Sequence, residues 1–324
     1  MHRPIRAAFQ ALALLASTAA FAQQEKVDPA LPNYAPAIKV QGTLKMTGSE
    51  SIEPLALELM DEFRKFHPDA KLEYIAKGSG SGPKALVDSS AVLAPMSREM
   101  TPEESAACEK KFGHPPTRVA IAIDALAVFV QANNPIKEVG LAQLDAVYSS
   151  TRKGGYAKDV ETWGDLGVGG ALKGMRVEAM NRDAASGTRS FFRDAVLLKG
   201  DFKPGIKEVT DQFSILESLS VNGAALGYGP LSFGSSLVKA LPLIPYGAKH
   251  AVEPTEENIR KGLYPLTRFF FIYMDKAPGK PLPPLEEEFI VFTLSKQGQT
   301  MVSQFGSLTM PADLARLNRA RIQR

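Results

Sequence analysis

The chain alternates short apolar runs with stretches in which apolar residues recur at helical spacing. Residues 39–45 begin a short strand pattern that is broken at Gly48, and a helix with Pro54 in its first turn is predicted to follow. One face of this helix carries four apolar side chains, which are Leu55, Leu59, Phe63 and Phe66. Residues 72–76 predict a second strand, which leads through a glycine-serine run into a helix that Pro83 opens.

The later part of the chain continues the same alternation. Residues 120–131 predict a long apolar strand, which is long enough to cross between two domains. Residues 224–228 and 238–244 predict further strands, and residues 285–294 predict a charged helix after a proline-rich stretch. Strands that alternate with helices are typical of α/β architecture with largely parallel sheets. We therefore expect an α/β fold in which helices flank the sheets.

The first 22 residues have the pattern of a secretory signal peptide. Arg3 and Arg6 give a positive start, residues 7–20 are apolar, and residues 20–22 read Ala-Phe-Ala, a small-x-small cleavage site. The apolar run is shorter than the roughly 20 residues that a membrane span needs. We therefore expect an exported protein with no membrane span after cleavage. Residues 23–38 contain three prolines and predict a linker or extended arm before the fold begins.

Composition and charge exclude several functional classes. The 324 residues are 44% hydrophobic and 23% charged, which is ordinary for a globular protein, and this length favours two domains. A net charge of +3 gives no broad basic field, so we expect no nucleic-acid partner. The single cysteine, Cys108, excludes an internal disulfide framework, and the scarcity of histidine argues against a metal site. The histidines of the mature chain are predicted to be surface or loop residues, and they are His67, His114 and His250.

The most informative feature is a turn of small, hydroxyl-bearing residues that recurs at three predicted strand-to-helix junctions. The turns are residues 47–51 (TGSES), 78–82 (GSGSG) and 182–188 (RDAASGT). A helix start leaves backbone N–H groups unpaired and carries partial positive charge. Glycine lets an anion approach the backbone, hydroxyl groups add donors, and Arg182 can make a bidentate contact with an oxyanion. Three such turns in one cleft would enclose a tetrahedral anion without a metal or another cofactor.

Each turn taken alone has a simpler interpretation. Serine and threonine before a helix are common N-caps, and glycines are common turn formers. The joint recurrence of three turns, one with an arginine four residues before Ser-Gly-Thr, favours an anion site. Other ligand motifs fail on spacing. GSGSG is not GxGxxG because position 83 is proline, and there is neither a Walker loop nor a GxSxG elbow.

At these turns the sequence resembles the periplasmic phosphate-binding proteins that serve bacterial ABC phosphate importers. The resemblance extends over nearly the whole mature chain, through TGSESIEPLA, KGSGSGPKAL, APMSREMTPEE, IDALAVFVQANNPI, WGDLG, RDAASGTRSFF, ALGYGPLSF and YPLTRFFFIYMDK. It implies a two-lobed, type II-like periplasmic binding fold, with a mixed, largely parallel sheet in each lobe and a two-strand hinge. One lobe would comprise residues 39–124 and 230–324, and the other residues 125–229, with phosphate between them.

The resemblance also implies ligand residues and partners. The positions that match or look like ligand residues of the family are Ser51, Ser81, Arg182, Ser186, Gly187 and Thr188. Further candidates for ligand contact are Ser49, Glu50, Ser79, Ser97 and Arg98. Inorganic phosphate would be the ligand and an inner-membrane ABC permease the partner. The protein would work in the periplasm as a monomer, with no cofactor and no enzymatic activity.

Two positions depart from the pattern of the family. Many members carry an aspartate that accepts the proton of hydrogen phosphate where this chain has Arg98 after Ser97. The loss of that acceptor leaves open a binder of sulfate, molybdate or another oxyanion. Glu50 stands where a small hydroxyl residue is usual, and an acid beside an anion costs energy unless it holds or accepts a proton. Glu50 therefore replaces the missing acceptor, turns outward, or pairs with Arg98.

Other functions remain as alternatives. An exported phosphatase would need a nucleophile with a base, or metals, and no base is evident for Ser51 or Ser186. A sensor or a secreted scavenger built on the same fold is not separable from a transport protein by sequence. Asp124, within the predicted crossing strand, either orients the hinge or approaches the ligand, and we favour the structural role.

Overall fold

Strands and helices alternate through residues 27–323, the part of the chain that the computed structural model describes. The predicted signal peptide, residues 1–22, and residues 23–26 of the predicted linker lie outside the described residues. The first strands are β1 (Gly42–Gly48), β2 (Ala70–Ala76), β3 (Leu93–Met96) and β4 (Thr117–Gln131). The helices between them are α1 (Glu53–Phe66), α2 (Ser81–Val87) and α3 (Pro102–Phe112).

The middle of the chain has shorter strands. They are β5 (Val139–Gly140), β6 (Glu178–Arg182), β7 (Lys207–Val209) and β8 (Ala225–Pro230). The α-helices of this part are α4 (Leu141–Tyr148), α5 (Gly187–Val196) and α6 (Gln212–Val221). Short 3₁₀ helices occur at Trp163–Leu166, Gly170–Leu172 and Leu231–Phe233.

The last part of the chain returns to the sheet and then ends in helices. Its strands are β9 (Val238–Ala240), β10 (Leu243–Ile244) and β11 (Thr267–Met274). Its helices are α7 (Glu256–Arg260), α8 (Pro284–Thr293), α9 (Lys296–Phe305) and α10 (Ala312–Ile322). The single strand predicted over residues 238–244 is wrong. Two short strands flank Pro242 instead, because proline has no N–H to donate to a ladder.

The main sheet has parallel strands towards both ends and antiparallel strands in the middle. Its order is β2-β1-β3-β11-β4-β8-β6-β7, and β9 also pairs with β4. β1 is parallel to β2 and β3, and β6 is parallel to β7 and β8. β11 is antiparallel to β3 and β4, and β4 is antiparallel to β8 and β9. The expected α/β fold with mixed sheets is confirmed.

β4 joins the two halves of this sheet. Residues 117–125 pair with β11, whereas residues 126–131 pair with β8 and β9. The change of partner explains why the strand is so long and confirms that it crosses from one half to the other. The predicted lobe boundaries, at 124/125 and 229/230, stay predictions. β9 and β10 follow the second boundary in the chain and pair with β4 and β5.

The apolar face predicted for α1 lies in the core. Leu55, Leu59 and Phe63 are buried, and Phe66 at the end of the helix is partly buried. The ring of Phe63 meets the rings of Phe289 and Phe292 edge-on at centroid distances of 5.4 and 5.5 Å. Within residues 27–323, no helix is both long enough and apolar enough to cross a membrane.

A buried polar cluster fastens the N-terminal arm to α1 and α8. The Tyr34 hydroxyl donates to Glu288 Oε2 at 2.6 Å and lies 2.6 Å from His67 Nε2. The Val40 N–H donates to His67 Nδ1 at 3.3 Å. His67 lies in the loop after α1, as predicted, but it is not on the surface, because partners distant in the sequence satisfy both ring nitrogens and allow burial.

Replacing Tyr34 with phenylalanine should lower the free energy of unfolding by about 1–3 kcal/mol, because Glu288 and His67 would each lose a buried hydrogen-bond partner. Urea unfolding followed by circular dichroism would measure the change. Tyr156→Phe is the matched control, since Tyr156 is a partly buried tyrosine in another part of the chain. Equal stability of the Tyr34 and Tyr156 variants would contradict the assigned role.

Candidate functional site

The three predicted turns lie against one another in the structure. The Ser51 Oγ of the first turn is 2.9 Å from the Thr188 Oγ1 of the third. The Gly80 N–H of the second turn donates to the Ala185 carbonyl of the third at 3.3 Å. The three helix starts that follow these turns, those of α1, α2 and α5, therefore meet at one place.

The first turn connects β1 to α1 and packs closely on the end of β3. A Cβ added at Gly48 would lie 2.0 Å from the Pro95 carbonyl oxygen, so only glycine allows this approach. The Ser49 N–H donates to the same carbonyl at 2.8 Å, and the Ser49 Oγ donates to Ser97 Oγ at 3.0 Å. α1 has no side-chain hydrogen bond at its N-cap, Ile52. Its first backbone N–H groups are thus not capped by the N-cap side chain.

The second turn connects β2 to α2 and depends on glycine and serine. Gly78 has a left-handed backbone with φ of +79°, and a Cβ there would lie 2.4 Å from the Ala185 carbonyl oxygen. Ser79 Oγ accepts from the Ser97 N–H at 3.0 Å and is 3.2 Å from Ser97 Oγ. Ser81 directs its hydroxyl and its N–H to the Gly78 carbonyl, at 2.7 and 3.1 Å. In this structure both donors of Ser81 are engaged within their own turn.

The third turn brings Arg182 from the end of β6 to the same place. Its guanidinium is fully buried, and Nη2 donates to the Thr210 carbonyl at 2.7 Å. Within residues 27–323, the buried Nε and Nη1 have no hydrogen-bond partner. Ser186 is the N-cap of α5, and its Oγ accepts from the Arg189 N–H at 3.3 Å. A Cβ added at Gly187 would lie 2.1 Å from Ser79 Oγ, so the third turn touches the second directly.

The carboxylate of Glu50 reaches across to the third turn. It forms an ion pair with Arg182 Nη2, and the Glu50 side chain is 23% exposed. Arg98 is engaged elsewhere, because its two Nη atoms bind the Glu104 carboxylate at 2.7 and 2.8 Å. Glu104 also closes the capping box of α3 with Thr101. The alternative in which Glu50 pairs with Arg98 is therefore wrong, whereas a role for Glu50 as a proton acceptor stays a prediction.

Arg268 on β11 is the residue of this region that the sequence analysis missed. Its Nε donates to Asp124 Oδ2 at 2.8 Å, and its Nη1 donates to Thr188 Oγ1 at 3.1 Å. Asp124 and Arg268 are paired in register on β4 and β11 and are both buried. The available sequence signal was a charged residue just before the apolar run FFFIYM, within one of the segments that carry the family resemblance.

Burial and neighbouring charges shift the pKa values of these groups. Burial lowers the pKa of Arg182, and the nearby Arg268 charge acts in the same direction, while Asp183, Tyr228 and Asp211 oppose it. Burial also raises the pKa of Asp124, against the effect of the Arg268 charge. Burial therefore disfavours the charged forms of both Arg182 and Asp124. Among the described residues, no group of three or more His, Cys, Asp or Glu side chains could hold a metal ion.

Similarity to known proteins extends over most of the chain. Residues 35–297 match the family model described as a PBP superfamily domain. The phosphate-binding protein PstS of Pseudomonas aeruginosa is 40% identical over 289 residues, which is 89% of this chain and 90% of that protein.

Solved structures of periplasmic binding proteins have the same fold as this chain. A substrate-binding protein with bound phosphate from Clostridium perfringens superposes with a TM-score of 0.69 at 23% identity, over 83% of this chain and all of that one. An ABC-type phosphate transport receptor from Vibrio cholerae gives a TM-score of 0.65 at 24% identity, with the same coverage. These similarities confirm the two-lobed periplasmic binding fold.

Gly187→Ala should push the second and third turns apart, because the added methyl group would fall inside the contact distance of Ser79 Oγ and Ser97 Oγ. We expect a thermal midpoint lower by several degrees, since overpacking costs about 1–3 kcal/mol. Differential scanning calorimetry would measure it. Gly169→Ala is the control, because a Cβ there meets nothing within 4 Å. A Gly187 variant as stable as the control would contradict the tight contact.

Proposed function

The chain belongs to the PstS phosphate-binding proteins of the PBP superfamily, and from this premise we propose that it binds inorganic phosphate between its lobes and delivers it to an ABC importer. This family consists of binding proteins rather than enzymes, so the function needs no catalytic step. The remaining questions concern how this chain holds the anion and how it chooses phosphate over other oxyanions.

The observation that carries the proposal is that two hydrogen-bond donors of Arg182 have no acceptor. Nε and Nη1 are buried without a partner among the described residues, and arginine cannot lose its charge to relieve the cost. Unsatisfied charged donors in a buried place are costly, and an oxyanion supplies the acceptors that they need. Three helix starts at the same place add N–H groups and partial positive charge. Phosphate, with four oxygens, can accept from donors on all sides.

The proposed ligand set follows from the way the turns meet. The first turn would contribute Ser51 and the second turn Ser81. The third turn would contribute Arg182, Ser186, Gly187 and Thr188. Ser51 and Thr188 support this assignment, because their hydroxyl groups are buried and 2.9 Å apart at the contact between the turns.

Three further candidates have a supporting position behind the turns. Ser49, Ser79 and Ser97 are buried and hydrogen-bond to one another through their hydroxyl groups. Such a chain fixes the relative position of β1, β3 and α2, while hydroxyl groups can still rotate to suit a ligand. We assign these serines to holding the first and second turns in place.

Glu50 is the residue to which we assign the choice of ligand. Its carboxylate lies at Arg182, inside the set of donors, whereas the charge of Arg98 is matched by Glu104. A carboxylate can accept the proton of hydrogen phosphate, but it repels sulfate, which has no proton to give. The alternative ligand, another tetrahedral oxyanion such as sulfate or molybdate, would be favoured if Glu50 played no part.

We further propose how the whole chain serves this function. Residues 1–22 would direct export to the periplasm, where the protein would act as a monomer. The lobe boundaries at 124/125 and 229/230 fall within β4 and β8, so these two strands would act as the hinge. Closure around phosphate would then give a shape that an inner-membrane permease distinguishes from the open one.

Arg182→Ala should weaken phosphate binding at least a hundredfold, because the variant loses the buried cation and several charge-assisted hydrogen bonds. In thermal melts, saturating phosphate should raise the wild-type midpoint by about 5–15 °C and the midpoint of the variant by much less. Arg193→Ala is the control, since Arg193 lies on the surface of α5, where it pairs with Asp194. Wild-type affinity in the Arg182 variant would overturn the proposed site.

Glu50→Gln should reduce the preference for phosphate over sulfate by about tenfold or more, because the amide neither repels sulfate nor accepts a proton as a carboxylate does. Calorimetric titration with each anion would measure the two affinities. Glu58→Gln, an exposed substitution on α1, serves as control. Unchanged selectivity in the Glu50 variant would assign the discrimination to another residue.

A further inference from the structure

A buried ion pair lies where β4 changes its partner strand. Asp124 and Arg268 face each other in register, and both side chains are only 2% exposed. A buried ion pair is weak as a stabilising device, because removing two charges from water costs about as much as their attraction returns. The location of this pair, next to the third turn, therefore calls for a functional reason.

The guanidinium of Arg268 has one donor group left over. Nε binds Asp124 and Nη1 binds Thr188, but Nη2 is buried and has no hydrogen-bond partner within residues 27–323. The guanidinium carbon lies over the rings of Phe191 and Phe270, at 5.5 and 5.4 Å from their centroids. These rings screen the group from water but do not replace an oxygen acceptor for its N–H groups.

The bond from Arg268 also decides what Thr188 can do. Arginine has only donors, so Thr188 Oγ1 must accept from Nη1. The proton of the Thr188 hydroxyl is then free to point to Ser51, at 2.9 Å, or to an anion held by the turns. Arg268 in this way occupies one acceptor position of Thr188 Oγ1 and leaves the hydroxyl proton available for donation at the site.

Arg268 reaches the turn that begins at Arg182, because its Nη1 binds Thr188 in that turn. Burial lowers the pKa of Arg182, and the positive charge of Arg268 adds to that effect. Two guanidinium groups that repel each other in buried surroundings are both stabilised by an anion that both can reach.

We propose that Arg268, held by Asp124, is a second cationic ligand of the anion bound by Arg182, with its Nη2 as the donor. The inference rests on the proposed phosphate binding and assigns one more residue to that site. Through its Nη1, Arg268 also acts as a positioning residue for Thr188.

The test uses a variant that removes both charges, Asp124→Asn with Arg268→Gln, because a single change would leave a buried charge without its partner. We expect phosphate to bind about ten- to a hundredfold more weakly by calorimetric titration, as for the loss of one charge-assisted hydrogen bond. The control is Glu99→Gln with Arg118→Gln. This surface ion pair involves the start of β4, away from Asp124, and Arg118 likewise lies over a phenylalanine ring.

A crystal structure of the wild-type protein with phosphate gives a second readout that does not depend on any variant. Nη2 of Arg268 should lie within about 3.2 Å of a phosphate oxygen. A distance beyond about 4 Å, or a double variant that binds within twofold of wild type, would overturn the inference and leave the proposed function standing. If wild-type protein did not bind phosphate, both would fail together.

Discussion

The burial of a permanent positive charge at Arg182 is the constraint on which the rest of the site depends. A guanidinium cannot neutralise itself, so the surrounding structure must supply negative charge or acceptors. Glu50 does so from the first turn and the Thr210 carbonyl from the other side. The remaining donors require an acceptor that the described residues do not provide. The need of the Arg182 guanidinium for acceptors therefore explains both its contact with the first turn and the binding of an anion.

Glycine and serine make this constraint compatible with close packing. The turns approach so tightly that a Cβ at Gly78 or Gly187 would collide with the opposite turn. Serine hydroxyl groups fill the remaining space and hydrogen-bond to one another, as Ser49, Ser79 and Ser97 do. A hydroxyl can both donate and accept, so the serines satisfy one another. They therefore leave the donors of Arg182 available to an anion.

Local features of the sequence predicted much of this arrangement. The apolar spacing of α1 and the composition of the three turns are properties of neighbouring residues, so they were readable without the fold. The burial of His67 was not, because it depends on Tyr34 and Glu288, which are far away in the chain. Arg268 was missed for the same reason, since its partners Asp124 and Thr188 are far from it in the chain.

The connection between hinge and site follows from where these residues lie. Asp124 and Arg268 occupy the position at which β4 leaves β11 for β8, and Thr188 begins the helix that follows β6. A rotation of the halves about that position would separate Thr188 from Arg268 and from Ser51 together, because its hydroxyl bonds to both. Closure would thus complete the hydrogen bonds of Thr188 and the surroundings of both guanidinium groups in one step. An anion that binds both groups has higher affinity for the closed state than for the open one, and this difference is what shifts a population between two conformations.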